Sequence, residues 1–176
     1  MEELRVPWSN KEGVLYGGVI AILTSLIMCT FNSVKTAGEL TVDSVVEGLV
    51  CVPFVWACVM VLMTFVIGRV ADWFVRKYTM PADSFYTKIV FNIIPCVMLT
   101  SAIMTLVGPE IGCILGEGAL SIDPVYAWPE SWAINFFVAF WVEMVFAQPV
   151  ARSVMKHKHL RMLQGGGGGS AQEAHA

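Results

Sequence analysis

Charge is the component that this sequence has least of. Charged residues make up 14% of the 176 residues, against roughly 25% in an average soluble domain. Hydrophobic residues make up 56%, so too little polar surface is present to cover a compact soluble chain. This composition excludes a disordered chain, and the net charge of −3 argues against a nucleic-acid-binding surface.

Metal-binding and catalytic motifs are missing as well. The five cysteines show no CxxC or Cys/His spacing, which argues against a secreted disulfide scaffold and against a metal site. The sequence contains no phosphate-binding glycine loop, nucleophile elbow or HExxH helix. We therefore expect a protein that is not an enzyme and that needs no cofactor or metal.

Long apolar runs are what the sequence has instead. A helix rises about 1.5 Å per residue, so roughly 20 apolar residues cross a hydrocarbon core of about 30 Å. Four segments are long enough, residues 14–34, 45–68, 89–107 and 132–151. They predict an all-α integral membrane protein with four transmembrane helices. We expect the first segment to be a membrane span and not a signal peptide, because it lacks a clear cleavage site.

Basic residues orient these four spans. Ten of the eleven Lys and Arg residues lie before span one, between spans two and three or after span four. Only Lys35 lies in the two other loops. The positive-inside rule places the basic side, with both termini, in the cytoplasm.

The two halves of the chain match each other. Residues 23–28 match 99–104 at an offset of 76, and residues 69–72 match 149–152 at an offset of 80. Each half is a hairpin that enters and leaves on the same side, so the sequence predicts two parallel hairpin repeats. We expect a leader over residues 1–13, hairpins over 14–78 and 79–158, and a tail over 159–176 whose glycine run at 165–169 is a flexible linker.

The tandem hairpins, their shared Thr-Ser-x-Ile-Met element (residues 24–28 and 100–104) and the basic end of each second helix support a resemblance. Residues 14–158 resemble a bacterial family of small two-helix membrane domains of unknown function, here present twice. This resemblance implies a bacterial cytoplasmic (inner) membrane and no established activity. The layout is also similar to the proteobacterial antimicrobial compound efflux family, although that family has an acidic residue in its first helix and span one has none.

Span one carries small residues at every fourth position. Gly17, Ala21, Ser25 and Cys29 form one face of the predicted helix, and such a face lets another helix approach closely in lipid. The sequence leaves open whether the partner is span four or a second protomer.

Glu143 is the one acidic residue deep inside a predicted span. It follows Trp132 by eleven residues, so it lies about 16 Å along the helix, near the middle of the membrane. An ionised carboxylate there costs at least ~2.5 kcal/mol. Glu143 is then either a proton-coupled site or a neutral carboxyl hydrogen-bonded to neighbouring polar groups. The candidate partners are Thr24, Ser25, Asn92, Thr100, Ser101 and, on its own helix, Asn135.

Two functions compete at this point. The first is a small proton-coupled transporter or permease for an ion or small molecule, acting through Glu143. We expect it to be a homo-oligomer in the lipid bilayer, because four short spans enclose little interior. The alternative is a non-transporting module that binds a partner protein or lipid through the small-residue face of span one.

Overall fold

Every regular element in the described part of the chain is a helix. The computed structural model describes residues 9–80, 83–116, 118–120 and 122–166. Two of the elements are single π-helical turns, here called π1 and π2. The elements in chain order are α1 (Asn10–Ala37), α2 (Val42–Leu62), π1 (Met63–Ile67), α3 (Gly68–Tyr78), α4 (Phe85–Gly116), α5 (Asp123–Val142), π2 (Glu143–Ala147) and α6 (Gln148–Gly166).

Four helical runs are long and apolar enough to cross a membrane, as the sequence predicts. They are Lys11–Ala37, Val42–Tyr78, Thr87–Gly116 and Asp123–Leu163. Each is longer than its predicted span, because backbone hydrogen bonds continue a helix into polar sequence and Lys, Arg, Glu and Gln are good helix formers. For the same reason α6 continues across the predicted tail boundary at residue 159 and ends at Gly166. The rest of the expected glycine linker lies outside the described residues.

The connection between α1 and α2 is short and well capped. Gly38 ends α1 with φ of 75° and donates its N–H to the Val34 carbonyl at 3.0 Å, a conformation that favours glycine. Thr41 and Ser44 then form a reciprocal capping box at the start of α2. These contacts turn the chain back directly, so α1 and α2 lie side by side.

The four runs form a ring in which each has two neighbours. The helix α1 packs on α2 and α4 packs on α5, while α3 packs on α4 and α6 packs on α1. One core cluster, Ala21 with Val55 and Val59, joins α1 and α2. A second, Ile93 and Val97 with Ala139, joins α4 and α5. This arrangement brings the start of α1, the end of α6 and the α3–α4 connection to one end of the bundle, here called the basic end.

The small-residue face of α1 lies mostly against α2 in the same chain. Ala21 and Ser25 are buried, and Cys29 packs on the cluster of Val55 and Val59. Closest approach occurs at Gly48 of α2, where a β-carbon would lie 2.9 Å from the Thr30 Cα and 3.0 Å from the Cys29 carbonyl oxygen. A β-carbon at Gly17, by contrast, would meet nothing within 4 Å.

The turns π1 and π2 occur at matching places in the second and fourth runs. They begin at residues 63 and 143, an offset of 80, which is the offset of the sequence match at 69–72 and 149–152. A π turn inserts one residue into an α-helix and frequently marks a functional site. Here π2 begins at Glu143.

We expect Gly48→Ala to destabilise the protein by about 1–3 kcal/mol, because the new methyl group overpacks against backbone that cannot move independently. The measurement is thermal unfolding of the purified protein in detergent, followed by circular dichroism. Gly17→Ala is the matched control, since its methyl group enters open space. Equal melting temperatures for the two variants would contradict the close helix approach.

Candidate functional site

Glu143 is linked to α1 through a glutamine and a tyrosine. The Gln148 side-chain amide donates to Glu143 Oε1 at 3.5 Å, and the Tyr16 hydroxyl donates to Gln148 Oε1 at 2.5 Å. Because Tyr16 occupies the carbonyl oxygen of Gln148, the amide nitrogen is left to face the carboxyl group. The chain of bonds therefore sets the orientation of Gln148 and joins α1 to both π2 and α6.

A cation lies next to this chain of bonds. Arg152 follows Gln148 by one helical turn, and its guanidinium group lies beside the Tyr16 hydroxyl. The Nε atom of Arg152 is buried and has no hydrogen-bond partner among the described residues. Buried donors in native proteins usually bond to protein or to ordered water.

A cavity of about 200 Å³ opens beside Tyr16 and Gln148. It lies toward the basic end, between α1, α3, α4 and α6. Its walls include one acidic side chain, one basic side chain and two amides in addition to the tyrosine. The lining residues are Tyr16, Asp72, Val75, Lys88, Ile89, Asn92, Ile93 and Gln148. A cavity of this size has room for several water molecules, and its polar side chains offer them hydrogen-bond partners.

Two of the predicted partners of Glu143 belong to a separate polar cluster. Asn135 donates to the Thr105 hydroxyl at 3.1 Å, and the Thr105 hydroxyl donates to the Ser101 carbonyl at 2.6 Å. The Trp132 indole donates to the Ser101 hydroxyl at 3.2 Å. Asn135 precedes Glu143 by eight residues, about 12 Å along the helix. This cluster joins α4 to α5 and lies farther from the basic end.

The remaining predicted partners are dispersed. Thr100 faces the Met63 sulfur at 3.9 Å, and the hydroxyl of Thr24 is buried without a hydrogen-bond partner. Ser25 is buried on the α1 face that packs on α2. Asn92 lines the cavity, so it is the predicted residue that the structure places near Tyr16 and Gln148.

Tyr16 is the residue of this site that sequence reasoning missed. It lies near the start of the first predicted span, where an aromatic residue is typical of the lipid headgroup level. Tyr16 and Gln148 are 132 positions apart in the chain, and no local pattern reveals a contact between such distant residues. A signal that could have indicated this site is the presence of two polar residues, Gln148 and Arg152, one helical turn apart in an apolar stretch.

A second polar contact, which the sequence did not indicate, joins α1 to α6 at the basic end. Glu12 binds the Lys158 Nζ with one carboxylate oxygen and the His159 Nε2 with the other, both at 3.0 Å. His159 is 0% exposed. The expected tail boundary at residue 159 therefore falls on a side chain that packs α6 against the start of α1.

No family model, curated protein or solved structure is significantly similar to this chain. The resemblance to a family of two-helix hairpin domains stays a prediction. The chemistry of the site follows from its own groups. The Glu143 carboxyl, the Gln148 amide and the Tyr16 phenol lie in series, and the Arg152 guanidinium lies beside them. Such a set can hold a proton or exchange it for a cation.

We expect His159→Ala to lower the free energy of unfolding by about 2 kcal/mol or more, because it opens a cavity and removes a hydrogen bond to a carboxylate. Thermal unfolding in detergent measures this loss. His157→Ala is the matched control, since His157 is exposed and its ring contacts the carbonyl of its own helix at Ser153. A loss of the same size in both variants would refute a structural role for His159.

Proposed function

We propose that this chain is a multi-pass protein of the bacterial cytoplasmic membrane, built from two parallel hairpin repeats with both termini in the cytoplasm. In this proposal it is a small proton-coupled transporter or permease, and Glu143 is its proton-exchanging group. The observation that carries the proposal is the chain of hydrogen bonds from Glu143 through Gln148 to Tyr16, which ends at a cavity with five polar side chains in its walls.

The repeat is supported by matching positions in the bundle. The sequence offsets of 76 and 80 pair Tyr16 with Asn92 and Asp72 with Arg152. Tyr16, Asn92 and Asp72 line one cavity, and Arg152 lies beside Tyr16. The contact of α3 with α4 also has its counterpart in the contact of α6 with α1. A pseudo-two-fold axis through the cavity accounts for these pairs.

The topology has a direct test. We expect alkaline phosphatase fused after Leu40 or Leu120 to be active, because these sites lie at the end of the bundle with few basic residues and should face the periplasm. Fusion after Met80, at the basic end, should be inactive. A cytosolic reporter fused at the same three positions should give the reverse pattern. An active phosphatase after Met80 would invert or refute the topology.

Proton exchange is supported by where the polar groups lie. A carboxyl group in the apolar middle of a bundle is a functional candidate by default, because its burial is costly. Glu143 lies at a π turn, which loosens the local backbone hydrogen bonding. Gln148 connects it to a cavity that has room for water and carries Asp72 and Lys88 in its walls. In this proposal protons and cations reach Glu143 from the basic end through the cavity and past Gln148.

The proposed transporter is an oligomer, because the cavity beside Tyr16 is small for a substrate pathway.

The alternative function, a module that binds partners through the small-residue face of α1, has less support. Ala21 and Ser25 of that face are buried within the chain, and Gly17 is the part left open. A partner would have to bind through the region around Gly17.

We expect the purified protein in liposomes to couple an imposed proton gradient to movement of a substrate cation. The assay follows an internal pH dye while sodium, potassium or the organic cation ethidium is added outside. Glu143→Gln should reduce the coupled proton flux to the level of empty liposomes, because the amide cannot exchange a proton.

Glu47→Gln is the matched control, since it makes the same chemical change at an exposed position of α2 and should keep the wild-type flux. Size-exclusion profiles must match among the three proteins. A wild-type flux in Glu143→Gln, with any of the three cations, would rule out Glu143 as the proton-exchanging group.

A further inference from the structure

A second and larger cavity lies on the outside of the bundle, along the contact between α1 and α6. Its volume is about 830 Å³ and it is largely open to the outside, so it is a groove and not an enclosed pocket. It shares no lining residue with the cavity beside Tyr16. Its α6 wall begins with the apolar residues Val150 and Val154 and continues with the basic residues Lys158 and Arg161, next to the apolar Met162, and Leu15 of α1 faces it.

The apolar and basic parts lie at different depths. Val150 follows Glu143 by seven residues and Arg161 follows it by eighteen, so they lie about 10 Å and 27 Å further along the helix. Half of a hydrocarbon core is about 15 Å thick. The headgroup region ends about 20–22 Å from the middle of the membrane. With Glu143 near the middle, Val150 lies at acyl-chain level and Lys158, about 22 Å along the helix, lies at headgroup level. The Arg161 backbone lies about 5 Å further out, so its long side chain has to reach back toward a lipid phosphate.

The charge at the headgroup level is positive. Arg161 is exposed, and Lys158 shares its charge with Glu12 at 3.0 Å. The His157 ring is held against the Ser153 carbonyl at 2.9 Å. No acidic side chain is among the described residues that line the groove. Arg161 is therefore the lining residue whose positive charge is best placed to bind an anion. Lys158 lies beside it, but its charge is partly neutralised by Glu12.

We propose that this groove binds an anionic phospholipid. The lipid phosphate lies at Arg161 and Lys158, and an acyl chain lies along Leu15, Val150 and Val154. Two features select such a ligand over a free anion or a zwitterionic lipid. The apolar half of the groove requires an acyl chain, and the unbalanced positive charge favours a headgroup with net negative charge.

Native mass spectrometry tests the charged half of the groove. The full chain is released from nanodiscs that contain equal amounts of phosphatidylglycerol and phosphatidylcholine, and the bound lipids are counted. We expect preferential retention of phosphatidylglycerol, and Arg161→Gln should reduce that preference by about fivefold, the effect of one basic residue at an anionic surface. Arg76→Gln is the control, because Arg76 is an exposed arginine of α3 outside the groove, and by the offset of 80 it matches residue 156, close in depth to Lys158.

The apolar half has its own pair of variants. Val150→Trp should fill the groove and reduce retention of phosphatidylglycerol, whereas Val70→Trp, on the outer surface of α3 at the matching offset of 80, should not. Their exposed fractions, 43% and 39%, are nearly equal. Inorganic phosphate added during release should not compete, since it lacks the acyl chain.

Three results would overturn the proposal. They are equal retention of the two lipids by the wild-type protein, equal effects of Arg161→Gln and Arg76→Gln, or displacement of the lipid by phosphate alone. If one variant of a pair fails to fold, the other pair decides, because the charged and apolar halves are tested independently.

Discussion

Backbone amides and carbonyls within an apolar run must find their hydrogen-bond partners inside the chain, a constraint that the proposed membrane environment makes strict. Long helices meet this constraint, and four helical runs are long and apolar enough to cross a membrane. Several hydroxyl groups also donate to the carbonyl four residues earlier, as Thr30 does to Leu26 and Thr64 to Met60. Other polar groups meet each other across helices, in a few places among the described residues.

The two inter-helix polar clusters differ in their surroundings. The cluster of Asn135, Thr105, Ser101 and Trp132 joins α4 to α5 through bonds of 2.6 to 3.2 Å, although its Asn135 Oδ1 atom has no hydrogen-bond partner among the described residues. The group around Glu143 also leaves one such atom, the Arg152 Nε, and its bond to Gln148 is 3.5 Å long. A cavity adjoins the group around Glu143, and the proposed function rests on this group for that reason.

The proposed repeats share a backbone but not their chemistry. The turns π1 and π2 match, yet Met63 stands in one where Glu143 stands in the other. Asp72 and Arg152 are opposite in charge at matching positions. Asp72 lines the cavity beside Tyr16, and Arg152 lies beside Tyr16 itself, so the two matching positions put opposite charges near one tyrosine.

Much of the architecture was predictable because it depends on composition and local spacing. Apolar run length predicted the four long helices, and the isolation of Glu143 in an apolar run singled out that residue. The partners of Glu143 were not predictable, because they depend on which helix faces which. The sequence grouped Glu143 with Asn135 and Ser101. In the structure Asn135 lies about two turns away on the same helical run and bonds to Thr105 of α4, whereas helix packing brings Tyr16 to Gln148. The sequence by itself determined the helices and the acidic residue. Only the tertiary structure decided its neighbours, since contacts across 132 positions arise from packing and not from local pattern.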